Sequence, residues 1–439
     1  RAPAGRAGLG ALAMARALSA RGARVLGLPK PSFTGVFYAS LGKLYDPEAR
    51  PSGIVNLAVA ENRLAAPLVT QRLDAVGSGA CPESLAYNPY TGCSRLRAAI
   101  ARVASRHIAG GGKLDPERLV LTSGAGSALW VLAGMLAEPG QGVMVPTPYY
   151  YAYDRDFTAL LDCALVPVDG CSGADPLAPE SLSAAKEAAA AKGIECRILV
   201  ITSPSNPTGE VVSGVRLRAA IAWAELQGVD VIVNELYACS VRPGGFTSVL
   251  ALHGDAAGAC RLPQHVHFVW GLSKDFAVNG LRCGCFYSGS KELTEAASKF
   301  AYFIQVGGTV QQQLAECLED DSWVDGFLAE SRQRVRQAAE ATCEARRPSS
   351  SAWRSCRAAV SWHARAAPST PRRVGSVSAS RPRRRSTWPS AWSGSWRAWA
   401  AQGGRRASED HPRRGALGRG PPPFLLVEVG GLGAAAAAA

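Results

Sequence analysis

Short apolar runs rich in β-branched residues, separated by helical stretches, constrain this chain more than any other feature. They are Gly53-Ile54-Val55-Asn56-Leu57, Leu119-Val120-Leu121, Val143-Met144-Val145, Ile198-Leu199-Val200-Ile201, Val231-Ile232-Val233 and Val266-His267-Phe268-Val269-Trp270. Each has the length of a strand. Between them, residues 94–108 put Leu96, Ile100, Val103 and Ile108 on one helical stripe, with Arg95, Arg102 and Arg106 outside it. Residues 179–192 and 215–226 also read as helices. This alternation predicts an α/β fold with a mainly parallel sheet. A chain of 439 residues, 47% hydrophobic, can bury one large core or two modest ones. A miniprotein, a coiled coil and a wholly disordered chain are excluded.

No run of about 18 apolar residues occurs, so no transmembrane helix is expected. The twelve Cys form no C-x-x-C pair. That argues against a disulfide framework or zinc site and for a reducing, cytoplasmic setting. His265 and His267 alternate on one strand without a third ligand nearby and read as structural. Gly110-Gly111-Gly112 follows no strand and reads as a loop.

The formal net charge is +13, but it is not spread evenly. Residues 345–439 hold 17 Arg, no Lys and three acids (Glu409, Asp410 and Glu428), so the rest of the chain is close to neutral. That tail also holds six of the ten Trp, lacks Asn, Ile, Tyr and Met, and shows no helical or strand period. Its composition is that of G/C-rich codons, as expected of a shifted reading frame or retained intron beginning near Ala345. The competing reading is a basic, Trp-interleaved arm for nucleic acid, the less favoured of the two. Residues 1–34 are Arg-rich and acid-free, which suits an organelle transit peptide or a wrongly assigned start.

Ligands of open α/β sheets sit beyond the carboxyl ends of the strands. After Leu121 comes Thr122-Ser123-Gly124-Ala125-Gly126-Ser127, small residues opening a helix. Their N–H groups could cradle a phosphate, although alone the tight-turn reading is stronger. After Ile201, Pro207 and Gly209 make a turn that holds Asn206. After Val233 come Asn234 and Tyr237; after Trp270 come Lys274 and, eight residues on, Arg282. A Lys directly after a buried strand can have a lowered pKa and so serve in Schiff-base chemistry.

In order and spacing these segments resemble the fold-type I pyridoxal-phosphate enzymes, the class I/II aminotransferases. The nearest branch is 1-aminocyclopropane-1-carboxylate (ACC) synthase-like. The carrying segments are Leu57-Ala58-Val59-Ala60-Glu61-Asn62, Tyr87-Asn88-Pro89-Tyr90-Thr91-Gly92, Val145-Pro146-Thr147-Pro148-Tyr149-Tyr150, Ser205-Asn206-Pro207-Thr208-Gly209 and Ser273-Lys274-Asp275-Phe276, within residues 35–343. The resemblance implies pyridoxal 5'-phosphate on Lys274, which would also shuttle protons with Tyr237 close by. Arg282 and the backbone of Gly124, Ala125 and Gly126 would hold the phosphate. Tyr150 would stack on the ring, and Asn206 and Tyr237 would donate to its hydroxyl oxygen. Tyr90 would reach the cofactor of a second subunit, implying a homodimer, and Glu61 would lie near an amino-acid substrate.

The implied domains are an N-terminal part of a small domain (35–85), a cofactor-binding large domain (86–310) and a helical start of the C-terminal small domain (311–344). Two departures stand out. Asn234 replaces the family Asp that pairs with the ring nitrogen, and no Arg beyond Cys343 has the context of the substrate-carboxylate clamp. Gly271 replaces a Ser of many relatives. Transamination, ACC-synthase-like elimination and a catalytically weak cofactor-binding relative therefore all stand as readings. An interaction protein with a nucleic-acid-binding tail is the reading from another class.

Overall fold

The computed structural model describes residues 18–28, 38, 40–44, 48–50, 53–54, 59–242, 244–255 and 257–344. Among these residues seven strands form one sheet: β1 (Leu119–Thr122), β2 (Gly142–Pro146), β3 (Ala164–Val168), β4 (Cys196–Thr202), β5 (Asp230–Asn234), β6 (Val266–Gly271) and β7 (Gly284–Ser288). Their order across the sheet is β1-β7-β6-β5-β4-β2-β3. Only β7 runs against its neighbours, so the sheet is mainly parallel as expected.

Among the described residues, nine longer helices accompany the sheet: α1 (Ala20–Gly27), α2 (Ala66–Val76), α3 (Ser94–His107), α4 (Ala125–Leu136), α5 (Pro179–Ala190), α6 (Gly214–Gln227), α7 (Lys291–Phe300), α8 (Gly308–Glu319) and α9 (Asp321–Glu344). Successive strand residues point to opposite faces. Val120, Val143, Val145, Ile198, Val200, Ile232, Val269 and Phe286 therefore share one buried cluster with α4 and α7. Leu121, Met144, Leu199, Ile201, Val233, Phe268 and Trp270 share the other with α3, α6, α8 and α9. The result is a sheet between two helical layers.

The expected helices form with ends shifted by a residue or two. Five of the six expected strands form. Of the sixth, Ile54 makes a single parallel bridge to Leu44, and Val55 to Leu57 lie outside the described residues. Two strands carry no clear sequence signal. β3 contains Pro167, which is tolerated because β3 is an edge strand. β7 reads Gly-Cys-Phe-Tyr-Ser and lacks β-branched residues, yet all of it is buried. His267 is buried in β6 between Ser288 Oγ (2.9 Å) and Asp230 Oδ1 (3.4 Å), a structural setting. The Arg/Trp-rich tail (345–439) and residues 1–17 lie outside the described residues. Within α1, Arg24 pairs with Asp162 at 2.8 Å.

The arginines expected on the outer face of α3 do not simply meet solvent. Arg95 pairs with Glu316 and Glu319 of α8, Arg102 with Asp321 at 2.9 Å, and Arg106 with Asp325 at 2.7 Å. Behind these pairs, Phe276 stacks on Phe327 (centroids 5.4 Å apart, planes 4° apart) and on Trp323 (6.2 Å). Partly exposed ion pairs contribute little, whereas burying an aromatic ring contributes much. Phe327→Ala is expected to cost ~3–5 kcal/mol, and Arg95→Ala less than ~1 kcal/mol. Urea unfolding of the two variants checks the ranking, which is wrong if Arg95→Ala proves the more damaging.

Candidate active site

β1, β2, β4, β5 and β6 all end on one rim of the sheet, and the polar residues singled out in the sequence gather there. Gly124 has φ +87° and precedes α4, which opens with Ala125 and Gly126. A Cβ on Gly124 would lie 2.2 Å from Arg282 Nη2, so glycine is what lets the guanidinium approach this turn. Arg282 also donates to Asn279 O (3.0 Å) and Ser123 O (3.5 Å). Gly284 of β7 makes the same approach from below. Its Cβ would meet Gly124 C and Ala125 N at 2.4 Å. A concentrated positive charge thus sits beside a helix N-terminus whose first N–H groups have no intrahelical partner.

Lys274 lies in a single helical turn, Leu272–Asp275, directly after β6. Its Nζ donates to Ala60 O at 2.5 Å, and Asn279 Nδ2 donates to the same carbonyl at 3.1 Å. The segment carrying Glu61 is thereby brought to Lys274, while the Glu61 carboxylate itself pairs with Arg63 at 2.9 Å. Gly271 pairs with Gly284 across β6 and β7. A Cβ at Gly271 would lie 3.1 Å from Cys283 O and from Gly284 Cα, so a Ser there would crowd this backbone.

Asn206 Nδ2 lies 3.5 Å from Tyr237 OH, which joins the β4 and β5 loops. The Asn206 turn is closed by Gly209 N to Ser205 O (2.8 Å) and Ser205 N to Glu210 O (2.8 Å). Asn234, at the end of β5, is 5% exposed. It pairs in register with Thr202 of β4, so both side chains emerge on the same face. There Asn234 Nδ2 donates to Tyr153 OH (2.9 Å), which is hydrogen-bonded to Thr202 Oγ1 (2.7 Å). Asn234 Oδ1 is buried and has no partner among the described residues. Tyr150 packs edge-on against Tyr153, centroids 5.4 Å apart. Tyr90 is half exposed and packs edge-to-face with Tyr302, centroids 5.4 Å apart.

Three contributors were not singled out in the sequence: Tyr153, Thr202 and Asp275. Asp275 directly follows Lys274 and is buried. Its carboxylate accepts from Trp270 Nε1 (2.8 Å), Ser240 Oγ (2.6 Å) and Cys239 N (3.0 Å). It ties the Lys274 turn to the chain just after Tyr237. Burial raises its pKa to about 6 against the opposing effect of these donors. A cavity of about 70 Å³ adjoins Tyr153, Thr202 and Asn206. Arg216 reaches it but is paired with Asp175 and Glu210, so its charge is already balanced.

A family model described as aminotransferase class I and II matches residues 52–367. The chain belongs to this family. The match runs past Cys343, where the recognisable motifs end, into the Arg-rich tail. ACC synthase 6 of Oryza sativa subsp. japonica is 32% identical over 343 residues, covering 73% of this chain and 62% of that protein. Human ACC synthase-like protein 1 is 33% identical over 307 residues, covering 67% and 60%. The chain thus spans somewhat under two thirds of these relatives' length, and within the family it falls in the ACC synthase-like branch. Aspartate aminotransferase of Thermus thermophilus with maleate superposes with TM-score 0.59 at 23% identity, covering 75% of this chain and 80% of that one. An archaeal alanine:glyoxylate aminotransferase gives TM-score 0.63 at 19% identity, covering 75% and 77%. These two share the fold. The family in general depends on pyridoxal phosphate. No helix among the described residues is long and apolar enough to cross a membrane.

Glu235, next to Asn234, is fully buried. It accepts from Ser248 Oγ and from Val249 N (2.7 Å), yet burial dominates and raises its pKa to about 8. The folded state therefore holds this proton where the unfolded chain has released it. Stability from this group is full below the unfolded pKa and falls as pH rises toward 8. Glu235→Gln keeps the shape and removes the titration. Urea midpoints at pH 5 and pH 8 should show the parent losing more stability than this variant, by on the order of 4 kcal/mol at most; equal losses would refute the assignment.

Proposed function

We propose that this chain binds pyridoxal 5'-phosphate at Lys274 and acts on an amino acid, with turnover weakened by Asn234. The observation that carries the reading is the convergence on one rim of Lys274, the Arg282–Gly124 pair and the unpartnered oxygen of Asn234. These groups fit the cofactor's chemistry: an amine for its aldehyde, a cation beside helix N–H groups for its phosphate, and a buried polar atom for its ring nitrogen. When bound, the cofactor supplies an electron sink for charge developing at the substrate α-carbon.

Each residue then has a distinct task. Arg282 and the N–H groups at Gly124, Ala125 and Gly126 hold the phosphate. Tyr150 offers an aromatic face to the ring. Asn206 and Tyr237 donate to the ring hydroxyl oxygen, and their 3.5 Å contact keeps the two donors together. The Lys274 amine takes and returns a proton at the α-carbon. Glu61, one residue from the carbonyl that Lys274 touches, lies near the substrate. Exposed Tyr90, Tyr302 and Phe303 form an apolar edge that supports a second copy of the chain as partner. The relatives, named as 1-aminocyclopropane-1-carboxylate synthases and a synthase-like protein, support elimination to 1-aminocyclopropane-1-carboxylate over transamination.

Asn234 is nearly isosteric with Asp but uncharged. Losing one member of a buried ion pair costs ~3–5 kcal/mol. Borohydride reduction with pyridoxal phosphate, followed by peptide mass mapping, should place a pyridoxyl group on Lys274 and none on Lys274→Ala; an unlabelled, folded parent would sink the reading. Asn234→Asp is expected to raise turnover roughly 10²–10³-fold. Unchanged rates would show that the neutral side chain is not what limits catalysis.

A further inference from the structure

We infer that Tyr153 is a positioning residue that presents Asn234 as a hydrogen-bond acceptor, so that the cofactor's ring nitrogen is held in its protonated form despite the lost carboxylate. This rests on the cofactor reading above. An Asn side chain offers two faces, an NH₂ that donates and an oxygen that accepts. Whichever face meets the ring selects its protonation state. An oxygen needs an N–H opposite it, and an NH₂ needs a bare nitrogen lone pair.

Here the NH₂ is engaged. Asn234 Nδ2 donates to Tyr153 OH at 2.9 Å, and the oxygen is left buried without a partner among the described residues. Thr202 Oγ1 lies 2.7 Å from the same phenol oxygen and offers an acceptor for the Tyr153 proton, an arrangement in which the phenol oxygen accepts from Asn234. Burial pushes the Tyr153 pKa up to about 12, so the phenol stays neutral and keeps that proton. The three residues are fixed by the sheet. Thr202 and Asn234 are register partners on β4 and β5, and Tyr153 lies buried on the face to which both point. An unpaired buried acceptor is costly, and a ring N–H is the donor that relieves it.

The test uses the full-length protein with pyridoxal phosphate labelled with ¹⁵N at the ring nitrogen. Borohydride mapping first establishes attachment to Lys274; failure there overturns the cofactor reading and this inference together. With attachment shown, the ¹⁵N signal of the parent should sit at the upfield pyridinium position near neutral pH. A signal at the free-pyridine position would overturn the inference alone. Tyr153→Phe frees the amide to turn, so its signal should move downfield and the cofactor's dissociation constant should rise about tenfold. Thr202→Val should shift the signal in the same direction by less. A carboxylate accepts whichever way it turns, so Asn234→Asp in the Tyr153→Phe background should restore the pyridinium signal. A Tyr153→Phe protein that keeps the parent signal would show that Tyr153 does not orient the amide.

Discussion

Strand polarity is the constraint on which the site depends. Every strand except β7 runs the same way, and both faces of the sheet are buried under helices. A polar side chain within such a sheet must find a partner or lie at a strand end. Thr122, Thr202, Asn234 and Gly271 are the last or near-last residues of their strands, and all stand on one rim. The loops that follow supply the Gly124 turn, Asn206, Tyr237 and Lys274. Glycine at 124 and 284 then allows the β1 and β7 backbones to close on each other, and that brings Arg282 in.

Asp275 shows how such loops are kept in place. Its carboxylate takes three donors, one from Trp270 of β6 and two from Cys239 and Ser240 in the loop after β5, and it directly follows Lys274 in the chain. Arg332 of α9 donates to Cys239 O at 2.8 Å, continuing the network to the last described helix. The turn that carries the Lys274 amine is thus fixed by its neighbours as well as by the amine's own contact with Ala60 O. The order of the motifs carries this arrangement, but the motif pattern names Asp275 only as the residue after the lysine.

The central strands and the helices were legible because their apolar spacing is strong and uninterrupted. β3 was not, because Pro167 belongs to an edge, and whether a strand lies at an edge is settled by the tertiary fold. β7 was not, because glycine and aromatic residues replace β-branched ones. In the site, Lys274, Arg282 and Asn206 could be found from their position after strands. Tyr153 and Thr202 could not, since their pairing with Asn234 depends on cross-strand register, which no local pattern records. The overall charge of +13 is misleading in the same way. It belongs to residues 345–439, while the remainder of the chain is close to neutral.

The attachment of α8 and α9 to the body combines two kinds of contact. Arg95, Arg102 and Arg106 bind carboxylates at the surface, whereas Phe276, Trp323 and Phe327 stack in the interior. Dissolved salt weakens the first kind over a screening length of about 8 Å at physiological ionic strength and leaves the second largely untouched. In concentrated salt the helices would stay docked by their aromatic side while the arginine face loosened. The same helix pair would thus be rigid toward Lys274 and yielding toward solvent.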